Sequence, residues 1–146
     1  MQWYVQALKN YFNFSGRARR KEYWMFNLIH QVILAVLYLI PVLSGGGTVV
    51  SLTFGIATLL YVIGTAIPAI SVTVRRLHDI GYSGWWMLMP AASFLAMVVG
   101  IVLKANVLVV LWAVILLVAY LGLFIASVLD SQPSENQYGP NPKAVS

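Results

Sequence analysis

The stretch Arg75-Arg76-Leu77-His78-Asp79-Ile80-Gly81-Tyr82-Ser83-Gly84-Trp85-Trp86 decides how the whole chain is read. It holds two arginines, one of the chain's two histidines, one of its four acidic residues, two glycines and a tryptophan pair. Upstream, residues 23–74 carry no charged side chain; downstream, residues 87–129 carry Lys104 alone. A helix needs about 20 apolar residues to cross a hydrocarbon core of about 30 Å, so each flank has room for two crossings. A charged, tryptophan-bearing turn between two such runs is the interfacial loop of a polytopic membrane protein.

Composition agrees. Of 146 residues, 60% are hydrophobic and 9% charged, and mean hydropathy is +0.82. Soluble domains carry about 25% charged residues, so lipid has to be the solvent for most of this surface. The expected class is all-α, a four-transmembrane-helix bundle with an N-terminal amphipathic interfacial helix, in one domain covering 1–146. The absence of cysteine excludes disulfides and thiolate metal sites. The net charge of +5 sits beside the apolar runs, where orientation and anionic headgroups account for it without nucleic acid. No cleavable signal peptide, cofactor or metal site is expected.

Taken in order, Trp3, Tyr4, Ala7, Leu8, Tyr11 and Phe12 recur at three- and four-residue spacing, which predicts an amphipathic helix over 2–14. Its aromatic face suits either the headgroup layer or the protein's own helices. Phe14-Ser15-Gly16 breaks it, and Ser15 is a fair N-cap for the next helix. The basic run Arg17, Arg19, Arg20 and Lys21 then leads through Glu22 into spans predicted at 23–43, 48–74, 85–103 and 107–129. Ser44-Gly45-Gly46-Gly47 turns the first pair. Asn27, His30 and Gln31 share a face in the first span and should point away from lipid as an intramembrane polar face. Pro68 should kink the second span and free a carbonyl one turn earlier. Gly81 is placed to end that helix, and Ser83 to cap the next. The tail, 130–146, rich in Pro, Ser, Asn and Gln, should lack regular structure unless docked.

Orientation follows from charge. With both termini cytoplasmic, Lys9, Arg17, Arg19, Arg20, Lys21, Arg75, Arg76 and Lys143 lie inside and Lys104 outside.

Three segments carry a resemblance: Lys9-Asn10-Tyr11-Phe12-x-Phe14-x-Gly16-Arg17-x-Arg19-Arg20-x-Glu22-Tyr23-Trp24, the stretch 75–86, and Asn136-x-Tyr138-Gly139-Pro140-Asn141-Pro142. Together they resemble the Domain of Unknown Function 805 family, the YhaH-like small bacterial inner-membrane proteins. The resemblance covers nearly the whole chain. It implies an integral, multi-pass protein of the bacterial cytoplasmic membrane and implies no activity.

Topology accounts for arginines at a cytoplasmic face, but not for His78-Asp79 or Tyr138-Gly139-Pro140. Arg17, Arg19, Arg20, Glu22, Arg75, Arg76, His78, Asp79 and Tyr138 are therefore expected to form one cytoplasmic cluster. It would be centred on Arg76 and Asp79, with the tail ordered to about Pro142. The first functional expectation is an interaction or scaffold protein that binds anionic lipid headgroups or a membrane-protein partner, a second copy included. The alternative is a subunit of a small oligomeric transporter or channel, with Asn27, His30 and Gln31 lining a path. A lipid-headgroup enzyme using His78 as base is the least supported, because no nucleophile or metal cluster accompanies it.

Overall fold

The computed structural model describes residues 2–144; Met1 and the last two positions of the expected tail, 145–146, lie outside them. The described residues form five α-helices and a short 3-10 turn, without a strand. The helices are α1 (Gln2–Lys9), α2 (Arg20–Leu43), α3 (Thr48–Asp79), α4 (Leu88–Val102) and α5 (Asn106–Val128), with the 3-10 turn Gly84–Met87 leading into α4. Four segments are long and apolar enough to cross a membrane: Arg20–Leu43, Thr48–Asp79, Gly84–Val102 and Asn106–Val128. The protein is an all-α polytopic membrane protein.

Three of these boundaries differ from expectation, each for a local reason. α1 stops at Lys9 instead of running to 14. The Asn13 N–H turns back onto Asn10 O three residues earlier, at 3.1 Å, and the Asn10 side-chain amide shares Gln6 O with its own backbone N–H, so the helix does not continue. α2 begins at Arg20, five residues past the expected cap at Ser15. Gly16 stands at φ 80°, and the Ala18 N–H is drawn to Arg75 O at 3.0 Å, which keeps 15–19 out of helix. α3 continues to Asp79 past the expected end at 74. At 1.5 Å per residue its 32 residues reach about 48 Å, well beyond a ~30 Å core.

The helix ends share one device. After α3, the Tyr82 N–H bonds Leu77 O and the Gly81 N–H bonds His78 O, both at 3.0 Å, with Gly81 at φ 83°. This is a Schellman ending, which satisfies carbonyls the helix leaves unpaired. Gly45 ends α2 in the same way. Lys104 does so after α4 at φ 53°, an uncommon conformation for a residue with a Cβ.

The chain forms two compact units. The first comprises Met1–Phe14 and Lys21–Val72. Here α1 packs on the unit's own helices: Ala7 is fully buried and Tyr4 stacks on Phe26, their centroids 5.5 Å apart. Val5 and Phe12 remain exposed. Pro68, fully buried inside α3, has no N–H, so the Gly64 carbonyl four residues earlier lacks its helical donor. The Tyr11 hydroxyl donates to that carbonyl at 2.7 Å. Ser71 reinforces the contact, with its Oγ 2.6 Å from Asn13 O and 2.9 Å from Asn10 O; its single proton serves one of them at a time.

The expected polar face divides. His30 Nδ1 lies 3.1 Å from the Tyr61 hydroxyl, and the ring stacks between Phe26 and Tyr61. Asn27 instead bonds Tyr23 O of its own helix, and Gln31 is exposed. Successive residues sit about 100° apart on a helix, so aiming His30 at Tyr61 swings Gln31 away.

The second unit comprises Ser15–Arg20 and Thr73–Ser146. Within it α4 and α5 form a tight hairpin, and a Cβ on Gly100 would stand 3.3 Å from Val109 N. The apolar side chains of α5 are largely exposed, as befits a lipid-facing helix. The tail carries no helix, but an isolated bridge pairs Asn136 with Gly139.

Because Pro68 leaves Gly64 O in need of a donor, Tyr11→Phe should destabilise the detergent-solubilised protein by about 1 kcal/mol. In a Pro68→Ala background, where the helical N–H returns, the same substitution should cost much less. A double-mutant cycle on thermal unfolding checks this; equal costs in both backgrounds would show that the hydroxyl does not serve that carbonyl.

Candidate functional site: a buried charge latch

The site lies in the second unit and is built around Asp79, which is fully buried. Oδ1 accepts from Arg17 Nε at 3.0 Å. Oδ2 accepts from Arg76 Nη1 and from Ser131 Oγ, the latter at 2.6 Å. The Asp79 backbone carbonyl accepts from Arg17 Nη2 at 3.2 Å and from the Gln132 N–H at 3.1 Å. One residue thus ties together the segment before α2, the end of α3 and the chain after α5.

The arginines have different tasks. Arg17 spends all five guanidinium N–H groups: Nε on the carboxylate, Nη2 on Asp79 O and on Gln132 O (2.7 Å), and Nη1 on Ser134 O (2.9 Å) and Gly139 O (3.3 Å). Arg76, 1% exposed, bonds Asp79 and the carbonyls of Ala126 and Leu129, although its Nε meets no acceptor among the described residues. Those carbonyls belong to the end of α5, where helical C=O groups lack partners and cations are favoured. Arg20 extends the same capping, donating to Val128 O at 2.9 Å. Arg19 donates to Pro142 O.

The tail is held along its length. His78 and Tyr138 stack flat, 3.7 Å between centroids and 4° between planes, and His78 Nδ1 lies 3.3 Å from Gly16 O. Asn136 Nδ2 donates to His78 O (2.9 Å) and Gln132 Oε1 (2.8 Å), while its Oδ1 accepts the Tyr138 N–H. Gly81 holds a positive φ that favours glycine, and a Cβ there would push aside the end of the Gln132 side chain.

The structure therefore brings together Arg17, Arg76, His78, Asp79 and Tyr138, with Arg19 and Arg20 on the same unit's tail and α5 end. Arg75 is buried and gives its carbonyl to Ala18. Glu22 belongs to the first unit, buried in the first turn of α2, where a carboxylate suits the positive end of the helix. Sequence reasoning missed Ser131, Gln132 and Asn136. Of these only Asn136 carried a signal, as the first residue of the tail segment Asn136-x-Tyr138-Gly139-Pro140.

Both oxygens of the Asp79 carboxylate are engaged. His78 faces Gly16 and Tyr138, while the Asp79 carboxylate is engaged by Arg17, Arg76 and Ser131, so the two do not form a base and its orienter. Among the described residues no three His, Cys, Asp or Glu side chains gather to hold a metal. Outside the buried core, Arg20 pairs with the exposed Asp130 at 3.0 Å and Lys143 pairs with the same carboxylate. The Lys143 hydrogen bond, helped by the Ser131 N–H, holds the Asp130 carboxyl below its ordinary range.

Magnitudes rank these contacts. Removing one partner of a buried ion pair costs about 3–5 kcal/mol, whereas a hydrogen bond to a charged group, such as Ser131 Oγ to Asp79, contributes about 1.5–3 kcal/mol. Asp79→Ala, which strands two buried guanidinium groups, should therefore destabilise the solubilised protein more than Ser131→Ala. Lys143→Ala, on the exposed pair, should change little. Thermal unfolding in one detergent gives the order; equal effects for Asp79→Ala and Lys143→Ala would contradict it.

Comparison with known proteins places the chain. The model for a protein family of unknown function, DUF805, matches residues 11–140. The inner membrane protein YhaH of Escherichia coli K12 is 36% identical over 150 residues, covering 98% of each chain. The inner membrane protein YhaI of the same strain is 42% identical over 99 residues, covering 68% of this chain and 79% of YhaI. No solved structure matches significantly. All three motif segments fall almost wholly within the matched range, and this integral inner-membrane protein belongs to the DUF805 family.

Proposed function

We propose that the chain is a non-enzymatic interaction protein of the bacterial inner membrane, with both termini cytoplasmic, whose second unit engages anionic lipid headgroups. The observation that carries this is the division of labour among the cations. Arg17 and Arg76 are spent inward on Asp79 and on carbonyls. Arg20 and Lys143 stand 40% and 44% exposed, two cations sharing one carboxylate at the end of α5. The charge distribution supports the orientation: Lys104, on the α4–α5 turn, stands apart from the eight other basic residues.

Basic residues near an anionic surface contribute about 1 kcal/mol each. Neutralising Arg20 and Lys143 together should therefore reduce the enrichment of anionic over zwitterionic lipid that co-purifies with the protein by about tenfold or more. Unchanged lipid composition would remove this function. Reporter fusions test the orientation: cytoplasmic signal after Gly84 and periplasmic signal after Gly46 are expected, and the reverse pattern would overturn it.

A second function, as a subunit of a small oligomeric transporter, draws support from His30 against Tyr61 inside α2 and α3. Ionisable groups at membrane depth commonly mark pathways. Solute or proton flux in proteoliposomes that disappears in His30→Leu would decide for it; a folded His30→Leu protein with no flux difference would decide against.

A further inference from the structure

Beside the latch, the second unit contains an open groove of about 480 Å³. Leu77 and Ile80 of α3, Trp86 before α4, Val114, Val118 and Gly122 of α5, and Leu129 just after it line the groove. From Val114 to Leu129 the groove follows α5 for about 22 Å at 1.5 Å per residue, the depth of one leaflet and more. We propose that this groove seats a fatty-acyl chain of an anionic glycerophospholipid, with the phosphate at Arg20 and Lys143. The assignment rests on the headgroup function above and deepens it.

Lining and charge choose the occupant. The lining is almost wholly apolar side chains, which a polymethylene chain fits. The polar end adds charge. Leu129 is followed by Asp130, on which both Arg20 and Lys143 converge, so the groove's polar end carries two cations against one anion. The Arg20 bond to Val128 O fixes that cation one residue from the groove wall. The lining includes Tyr82 and Trp86, ring systems that favour the boundary between headgroups and chains. Gly122 leaves the floor open: a Cβ there would meet nothing within 4 Å.

Gly122→Phe sets a ring into the groove from a position whose Cβ meets nothing within 4 Å, and replaces a poor helix former. Gly55→Phe, at another helical glycine with nothing within 4 Å, is its control away from the groove. Native mass spectrometry of the full chain, exchanged into phosphatidylglycerol or phosphatidylcholine, counts retained lipids. Wild type and Gly55→Phe should retain phosphatidylglycerol, and Gly122→Phe should lose it by about tenfold, equivalent to roughly 1.4 kcal/mol. Val118→Trp repeats the test should Gly122→Phe fail to fold. Retention in both filled variants at the wild-type level overturns the groove. If Arg20→Gln with Lys143→Gln then abolishes the preference for phosphatidylglycerol, headgroup recognition stands without a chain seat. If that double variant also matches wild type, both assignments fall. Loss of a dimer in Gly122→Phe with lipid retention intact would identify a second copy as the occupant and overturn the proposal too.

Discussion

A carboxylate with no access to water has to be matched, and in the second unit everything follows from matching Asp79. Desolvating an ion costs several kcal/mol, and mutual attraction offsets it only when geometry is good and the remaining lone pairs are filled. Asp79 meets that demand with two guanidinium groups and a hydroxyl. The guanidinium groups bring their own surplus of N–H donors. Most of these reach backbone carbonyls: those at the end of α5 for Arg76, and those of the irregular tail for Arg17. Acid, bases, helix end and tail thus satisfy one another.

The exchange explains two local features that conflict with simple propensity. A polar tail rich in proline and serine has no core of its own to bury, yet it follows a defined path because Arg17 supplies the donors its carbonyls need. Arginines near the start of a helix oppose its dipole. Arg20 stands there because its side chain reaches the carbonyl end of α5, where a cation is favoured. In the first unit the same logic operates at smaller scale: Pro68 withdraws a donor and Tyr11 replaces it.

Much of the architecture was legible in the sequence, because membrane spans are written in long apolar runs and charge breaks. The four spans fall within a few residues of expectation, and Gly81 ends α3 as its position predicted. The misses come from tertiary contacts that periodicity does not encode. Ser15 looked like a cap, but Ala18 N–H has a stronger claim in Arg75 O. Gln31 shared a face with Asn27 by spacing, but it is the His30 ring that lies between Phe26 and Tyr61, and Gln31 is exposed. At the site, Arg76 with Asp79 at i and i+3 could be read off the chain. Ser131 and the carbonyls of 126, 129, 132, 134 and 139 could not, since backbone acceptors carry no side-chain signature. The groove was invisible for a similar reason: its residues are ordinary apolar lipid-facing types, distinguished only by where they meet.

The central claim is that the buried charge at Asp79 is required to order the segment after α5. Backbone hydrogen exchange in detergent measures it directly, at Gln132, whose N–H bonds Asp79 O, and at Gly139, whose N–H bonds Asn136 O. Both amides should be protected in wild type and should exchange far faster in Asp79→Ala, while amides in the middle of α5 stay protected. Equal exchange at Gln132 and Gly139 in the two proteins would contradict the latch.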